Sequence, residues 1–242
     1  MKAIEAIGLT KRYRGTVAVD ALSLTVEEGE LFGRLGINGA GKTTTVRMLS
    51  CLTAPTEGDA LLLGKSILTD AAAIKRSIAV SPQETAVAPG LTVRENLELM
   101  CGVHGFDRAR CRARTDELLS LLGLSGVAKK RAAKLSGGFC RRLSIAMALI
   151  SEPRILFLDE PTLGLDVIAR SELWDLVRTL KGQVTILLTT HYMEEAEALC
   201  DRVAIMKDGR LLLCDTPAAI KARTGEGSFE AAFVRIIRGD TL

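Results

Sequence analysis

Residues Gly36-Ile37-Asn38-Gly39-Ala40-Gly41-Lys42-Thr43 fit the pattern G-x-x-x-x-G-K-[ST], and this stretch restricts the fold more than any other. Its glycines let successive backbone N–H groups turn inward around a phosphate, because a residue without Cβ tolerates left-handed backbone. A helix opening near Lys42 aims its positive dipole end at the same phosphates. In such a loop Lys42 reaches the β- and γ-phosphates, and the Thr43 hydroxyl ligates Mg²⁺. The pattern has this meaning only between a strand and a helix. Residues 30–35 supply a short apolar run for the strand. Residues 44–52 supply the helix, with Val46, Leu49 and Leu52 on one side.

The rest of the chain alternates in the same way. Residues 3–9 and 22–26 alternate as strands, and Glu28-Gly29 turns the chain into the strand before the loop. Tyr13, between the first strands, is either a surface aromatic in a turn or a stacking platform for a base. Further strands are expected over 58–63 and 77–80, the latter followed by Ser81-Pro82-Gln83. From about residue 84 to 152 the pattern is helical. Thr92-Val93-Arg94-Glu95 is a capping box, and the arginines at 108, 110, 112 and 114 read as a solvated face. Leu135-Ser136-Gly137-Gly138 opens a helix with Leu143, Met147 and Ile150 on its apolar face. Residues 154–158 and 184–188 are continuous apolar runs, as in parallel strands buried on both faces. Glu194 and Glu195 fall in the first turn of a helix after His191, where they suit its dipole. Lys207-Asp208-Gly209 marks a hairpin, and Ser228 caps a last helix.

Composition narrows the class. The chain has 242 residues, enough for a sizeable core, with 48% apolar, 25% charged and 4% aromatic residues. A net charge of +3 gives no ground for nucleic-acid binding. Six cysteines without a C-x-x-C pair read as reduced, cytosolic thiols rather than a disulfide or zinc framework. No signal-peptide pattern opens the chain, and no run approaches the roughly 18 apolar residues of a membrane span. A membrane role would therefore need another chain.

Strands alternating with helices imply an α/β fold with a mostly parallel sheet, whose ligands bind beyond the carboxyl ends of the strands. Three polar clusters fall there: the phosphate loop, Asp159-Glu160 and His191. Asp159 would hold Mg²⁺ directly or through water. Glu160 would orient or deprotonate the attacking water. His191 would touch the γ-phosphate, either as a sensor or as a stabiliser of transition-state charge.

Taken together, the phosphate loop, Gln83, Leu135-Ser136-Gly137-Gly138, Leu158-Asp159-Glu160-Pro161-Thr162, Gly164-Leu165-Asp166 and His191, in that order, resemble the ATP-binding subunit of an ABC transporter over nearly the whole chain. The resemblance implies a P-loop NTPase core over residues 1–83 and 153–242, with an N-terminal antiparallel β subdomain and a helical subdomain of about 84–152. It implies ATP and Mg²⁺ as cofactors. Tyr13 would stack on adenine, while Asn38, Gly39, Ala40, Gly41, Lys42, Thr43 and Thr44 would enclose the phosphates. Gln83 would sense Mg²⁺ or water. Ser136, Gly137 and Gly138 would reach ATP held by a second copy of the chain, and Asp166 would communicate between the two copies. The partners implied are that second copy and separately encoded membrane permease subunits, with the chain peripheral on the inner, cytoplasmic face of the membrane. The run from Thr190 to Glu197 resembles the exporter branch. The alternative is a soluble ATPase of the same family acting on ribosomes or DNA.

Four positions depart from the family pattern: Arg34 in the strand before the loop, Ile37 within it, Phe139-Cys140 after the signature, and Val167 after Asp166. None removes a group that does chemistry, so a competent ATPase is expected. Arg34 must find a partner or snorkel, since an isolated buried charge is costly.

Overall fold

The computed structural model describes residues 1–37 and 39–239. The strands in chain order are β1 (Lys2–Tyr13), β2 (Thr16–Glu27), β3 (Leu31–Gly36), β4 (Glu57–Leu62), β5 (Lys65–Ser66), β6 (Ile78–Ser81), β7 (Ile155–Asp159), β8 (Thr185–Thr190), β9 (Arg202–Lys207) and β10 (Arg210–Asp215). The helices are α1 (Lys42–Leu49), α2 (Ala71–Lys75), α3 (Val93–Val103), α4 (Arg108–Leu121), α5 (Gly137–Leu149), α6 (Val167–Leu180), α7 (Met193–Leu199), α8 (Pro217–Thr224) and α9 (Phe229–Arg238).

Two sheets result. One is antiparallel, in the order β2-β1-β4-β5. The other runs β10-β9-β3-β8-β7-β6 and is parallel except for the edge pair β10–β9. The parallel strands bury both faces, which is why they read as unbroken apolar runs. Alternate residues divide between two cores. Leu31, Leu35, Leu156, Leu158, Ile186 and Leu188 face a cluster built with α3 to α7 and α9. Phe32, Ile155, Phe157 and Leu187 face the antiparallel sheet and α1. This is the P-loop NTPase fold expected from the sequence.

Several local expectations change. Tyr13 is the last residue of β1 rather than part of a free turn. Helix α1 stops at Leu49, and Cys51 turns left-handed at φ 56°. Leu52 therefore leaves the buried stripe of Val46 and Leu49 and stands 61% exposed. Arg114 is not on a solvated face, because its guanidinium donates to Leu149 O at 2.6 Å and ties α4 to α5. The capping box is present: Thr92 and Glu95 exchange hydrogen bonds at the start of α3.

Candidate active site

Strands β3, β8, β7 and β6 lie side by side, and their carboxyl ends deliver the phosphate loop, His191, Asp159-Glu160 and Gln83 in that spatial order. This is where an open α/β sheet places its ligands. The loop wraps closely against β2. Gly41 has φ 87°, and a Cβ there would lie 2.3 Å from Ala18 O. Only glycine fits that approach. Gly36 is constrained by space alone, since a Cβ would meet Met206 O at 2.7 Å.

A cleft of about 590 Å³ opens above these strand ends. Gly39, Ala40, Gly41, Lys42, Thr43, Thr44, Gln83, Glu160 and His191 line it, together with Thr16, Val17, Ala18 and Leu163. Lys42 Nζ donates to Gly36 O at 2.7 Å and lies 3.6 Å from Glu160 Oε1. Burial pushes the Lys42 ammonium down, and Glu160 opposes the shift. Glu160 Oε2 is 2.6 Å from His191 Nδ1. One carboxylate thus bridges the loop lysine and the histidine.

Glu160 has φ 50°, a left-handed conformation that costs of order 1–2 kcal/mol for a side-chain-bearing residue. Its N–H holds the turn by donating to Thr189 O at 3.0 Å. Asp159 is buried beside it, and Thr189 Oγ1 donates to Asp159 Oδ1. Thr43, Gln83 and Asp159 offer oxygen atoms, the donor type that hard divalent cations take.

Three supporting residues were not read as functional from sequence. Arg141 in α5 is buried and donates to Pro82 O at 2.7 Å and Gln83 O at 2.6 Å, joining the signature helix to the Gln83 segment. Burial pushes its guanidinium down, while Asp159 opposes the shift. Arg34 is 0% exposed and neither snorkels nor forms a short ion pair, since it donates to the main-chain oxygens of Gly41 and Lys42 and to Met206 Sδ. Burial pushes its guanidinium down to about 9 against the pull of Asp159, so it stays charged at neutral pH. Glu195 lies in the first turn of α7 as expected, but it is 0% exposed and accepts from Trp174 Nε1 at 3.1 Å. Burial pushes its carboxyl up. The hydroxyls of Thr190 and Thr162 and the Trp174 indole pull it down, and Glu160 adds to the rise.

Tyr13, Ser136, Gly137, Gly138 and Asp166 do not line this cleft. Tyr13 pairs with Thr16 at the end of β1 and carries Lys11 Nζ 5.1 Å from its ring centre. Ser136 caps α5, its hydroxyl accepting from Phe139 N at 3.5 Å. Gly137 and Gly138 pack against Leu165 and Ala169, so the signature turn sits beside the start of α6. Asp166 caps α6 by accepting from Ala169 N at 2.8 Å, a local role that sequence reading did not assign. Asn38 lies outside the described residues.

An α/β sheet with a phosphate loop, an acidic pair and a histidine at adjacent strand ends defines a nucleotide-hydrolysing fold. The sequence profile of the ABC transporter family matches residues 19–163. The chain is 43% identical over 225 residues to the daunorubicin/doxorubicin resistance ATP-binding protein DrrA of Streptomyces peucetius, covering 93% of this chain and 68% of that protein. It is 44% identical over 221 residues to the Nod factor export ATP-binding protein I of Paraburkholderia xenovorans (strain LB400), covering 91% of this chain and 73% of that one. An ATP-binding cassette solved as a dimer in a post-hydrolysis state bound to ADP and Pi superposes with a TM-score of 0.78 at 27% identity, covering 88% of this chain and 98% of that one. This chain belongs to the ABC transporter family as an ATP-binding, ATP-hydrolysing chain.

Proposed function

We propose that the chain powers export, hydrolysing ATP at a site that two copies complete and driving separately encoded membrane subunits. The carrying observation is Glu160 set between Lys42 Nζ at 3.6 Å and His191 Nδ1 at 2.6 Å in a cleft walled by the phosphate loop. Both named relatives are ATP-binding proteins, one of drug resistance and one of Nod factor export. They favour an exporter over an ATPase acting on ribosomes or DNA.

ATP binds with its phosphates on residues 38–44 and its adenine toward Tyr13. Lys42 leaves Gly36 O for the β- and γ-phosphates, which frees Glu160. Glu160 takes the proton of the water that attacks the γ-phosphorus. His191, hydrogen-bonded to Glu160, orients that carboxylate and meets charge on the γ-phosphate. Thr43, Asp159 and Gln83 would hold Mg²⁺, which would supply positive charge against the phosphates.

Ser136, Gly137 and Gly138 do not line the chain's own cleft, and the α6 start beside them exposes Val167 (78%) and Ile168 (72%). Such paired apolar exposure suits a second chain. The division into a core of 1–83 with 153–242 and a helical unit of about 84–152 belongs to this reading, with Arg141 as its link. The chain works on the inner, cytoplasmic face of the membrane through its permease.

Complementation tests the composite site. Lys42→Ala and Gly137→Asp chains are each inactive alone. Mixed in equal amounts, they regain about a quarter of wild-type turnover, because half of the randomly assorted dimers are mixed and each of those has one site with both intact parts. No recovery would place a complete site within one chain. In cells the chain fractionates with membranes; recovery with ribosomes contradicts the exporter reading.

A further inference from the structure

Arg34 is among the largest side chains in the molecule with no exposed surface, and its charge has no role in the hydrolytic scheme above. It projects from β3 under the first turn of α1. Its Nη1 donates to Lys42 O at 2.7 Å and its Nη2 to Gly41 O at 3.2 Å. Met206 Sδ, on the neighbouring strand β9, accepts from Nε and Nη2 and fixes the other side of the fork.

The acceptors matter because peptide units are planar and trans. The carbonyl of Gly41 shares its plane with the N–H of Lys42 and points the opposite way. The carbonyl of Lys42 stands in the same relation to the N–H of Thr43. A guanidinium gripping both carbonyls from beneath turns those two N–H groups away from itself. Lys42 and Thr43 line the cleft. Hydrogen bonds in series also polarise one another, strengthening each bond by about 10–30%.

We propose that Arg34 is a positioning residue of the phosphate loop, whose fork holds the Gly41 and Lys42 carbonyls so that the N–H groups of Lys42 and Thr43 are aimed and strengthened for the phosphates. This rests on the reading of the cleft as the ATP site. A planar fork can take both carbonyls and the thioether at once; an ammonium is a point charge on a flexible stem and cannot reproduce that geometry.

A purely structural role makes different forecasts. Arg34 makes no short ion pair for Arg34→Met to break, and Gly41 O keeps a second donor in Thr45 N at 3.0 Å, so the variant leaves no unpaired close charge behind. The test therefore compares thermal midpoints with nucleotide affinity. ATP and ADP are titrated calorimetrically in EDTA into the wild-type chain, Arg34→Met and Arg34→Lys.

The expected result is that Arg34→Met folds with a midpoint at or above wild type, yet binds both nucleotides about tenfold more weakly. Arg34→Lys stays within about threefold of the Met variant. With Mg²⁺ present, KM for ATP rises in parallel while kcat changes less than about twofold, the signature of lost uniform binding. Wild-type affinity in a folded Arg34→Met variant overturns the proposal. Full recovery by Arg34→Lys overturns the role of the fork, since charge alone would then suffice. If Arg34→Met does not fold, Arg34→Lys carries the test: weakened binding supports the proposal and wild-type binding refutes it. A wild-type chain that binds no ATP removes the ATP-site reading itself, and the proposal with it.

Discussion

Gly41 and Glu195 each sit where one atom decides the outcome. A methyl group at Gly41 would have to occupy a position 2.3 Å from Ala18 O while keeping φ at 87°. Gly41→Ala is expected to lose measurable ATP binding and at least about 1 kcal/mol of stability, read from calorimetry and urea unfolding. Glu195 makes a pH statement. Burial raises its carboxyl above the ordinary 4.5, so the folded chain keeps this proton at pH values where the unfolded chain has lost it. The stability it lends is therefore fully present below 4.5 and is lost as pH rises through the folded value. Glu195→Gln cannot titrate and escapes that loss. Its stability relative to wild type should grow from about pH 4.5 upward and then level off; a difference that stays flat from pH 4 to 8 would mean the carboxyl is not raised.

At the scale of elements, much was legible because period and punctuation agree. The apolar runs at 154–158 and 184–188 read as buried parallel strands, and the structure places β7 and β8 there. Thr92 and Glu95 marked the start of α3, and Lys207-Asp208-Gly209 the turn between β9 and β10. What escaped depended on contacts distant in sequence. The partners of Arg34 are two main-chain oxygens and a thioether 172 residues away. Arg141 meets carbonyls 58 and 59 residues away, in a segment whose own side chains gave no hint of it. Glu195 was assigned to the dipole because helical position was visible and burial was not. Arg141→Met severs α5 from the Gln83 segment. It is expected to lower kcat at least about tenfold while leaving the Kd for ATP within about threefold, because Arg141 itself does not line the cleft. Loss of ATP binding would instead make Arg141 part of the nucleotide pocket.

At the scale of the whole molecule, the expected site residues fall in two places, the cleft and the start of α6. The phosphate loop, Gln83, Glu160 and His191 converge, while Ser136 to Gly138 and Asp166 sit by the exposed start of α6. The order of motifs was plain in the sequence. That the signature turn avoids its own cleft needed the fold. Among the described residues, no helix is long and apolar enough to cross a membrane. Powering a transporter calls for a change of shape or association that a membrane partner can feel. ATP held between two copies supplies it, with hydrolysis releasing them.

The most direct test is Mg·ATP hydrolysis by the wild-type chain beside Glu160→Gln, with size-exclusion profiles of each in ATP. The expected result is turnover by wild type, a fall of about 10²-fold or more in the variant, and an ATP-dependent dimer trapped by the variant alone. A Glu160→Gln chain that hydrolyses ATP as fast as wild type would contradict both the assignment of Glu160 as base and the dimer cycle built on it.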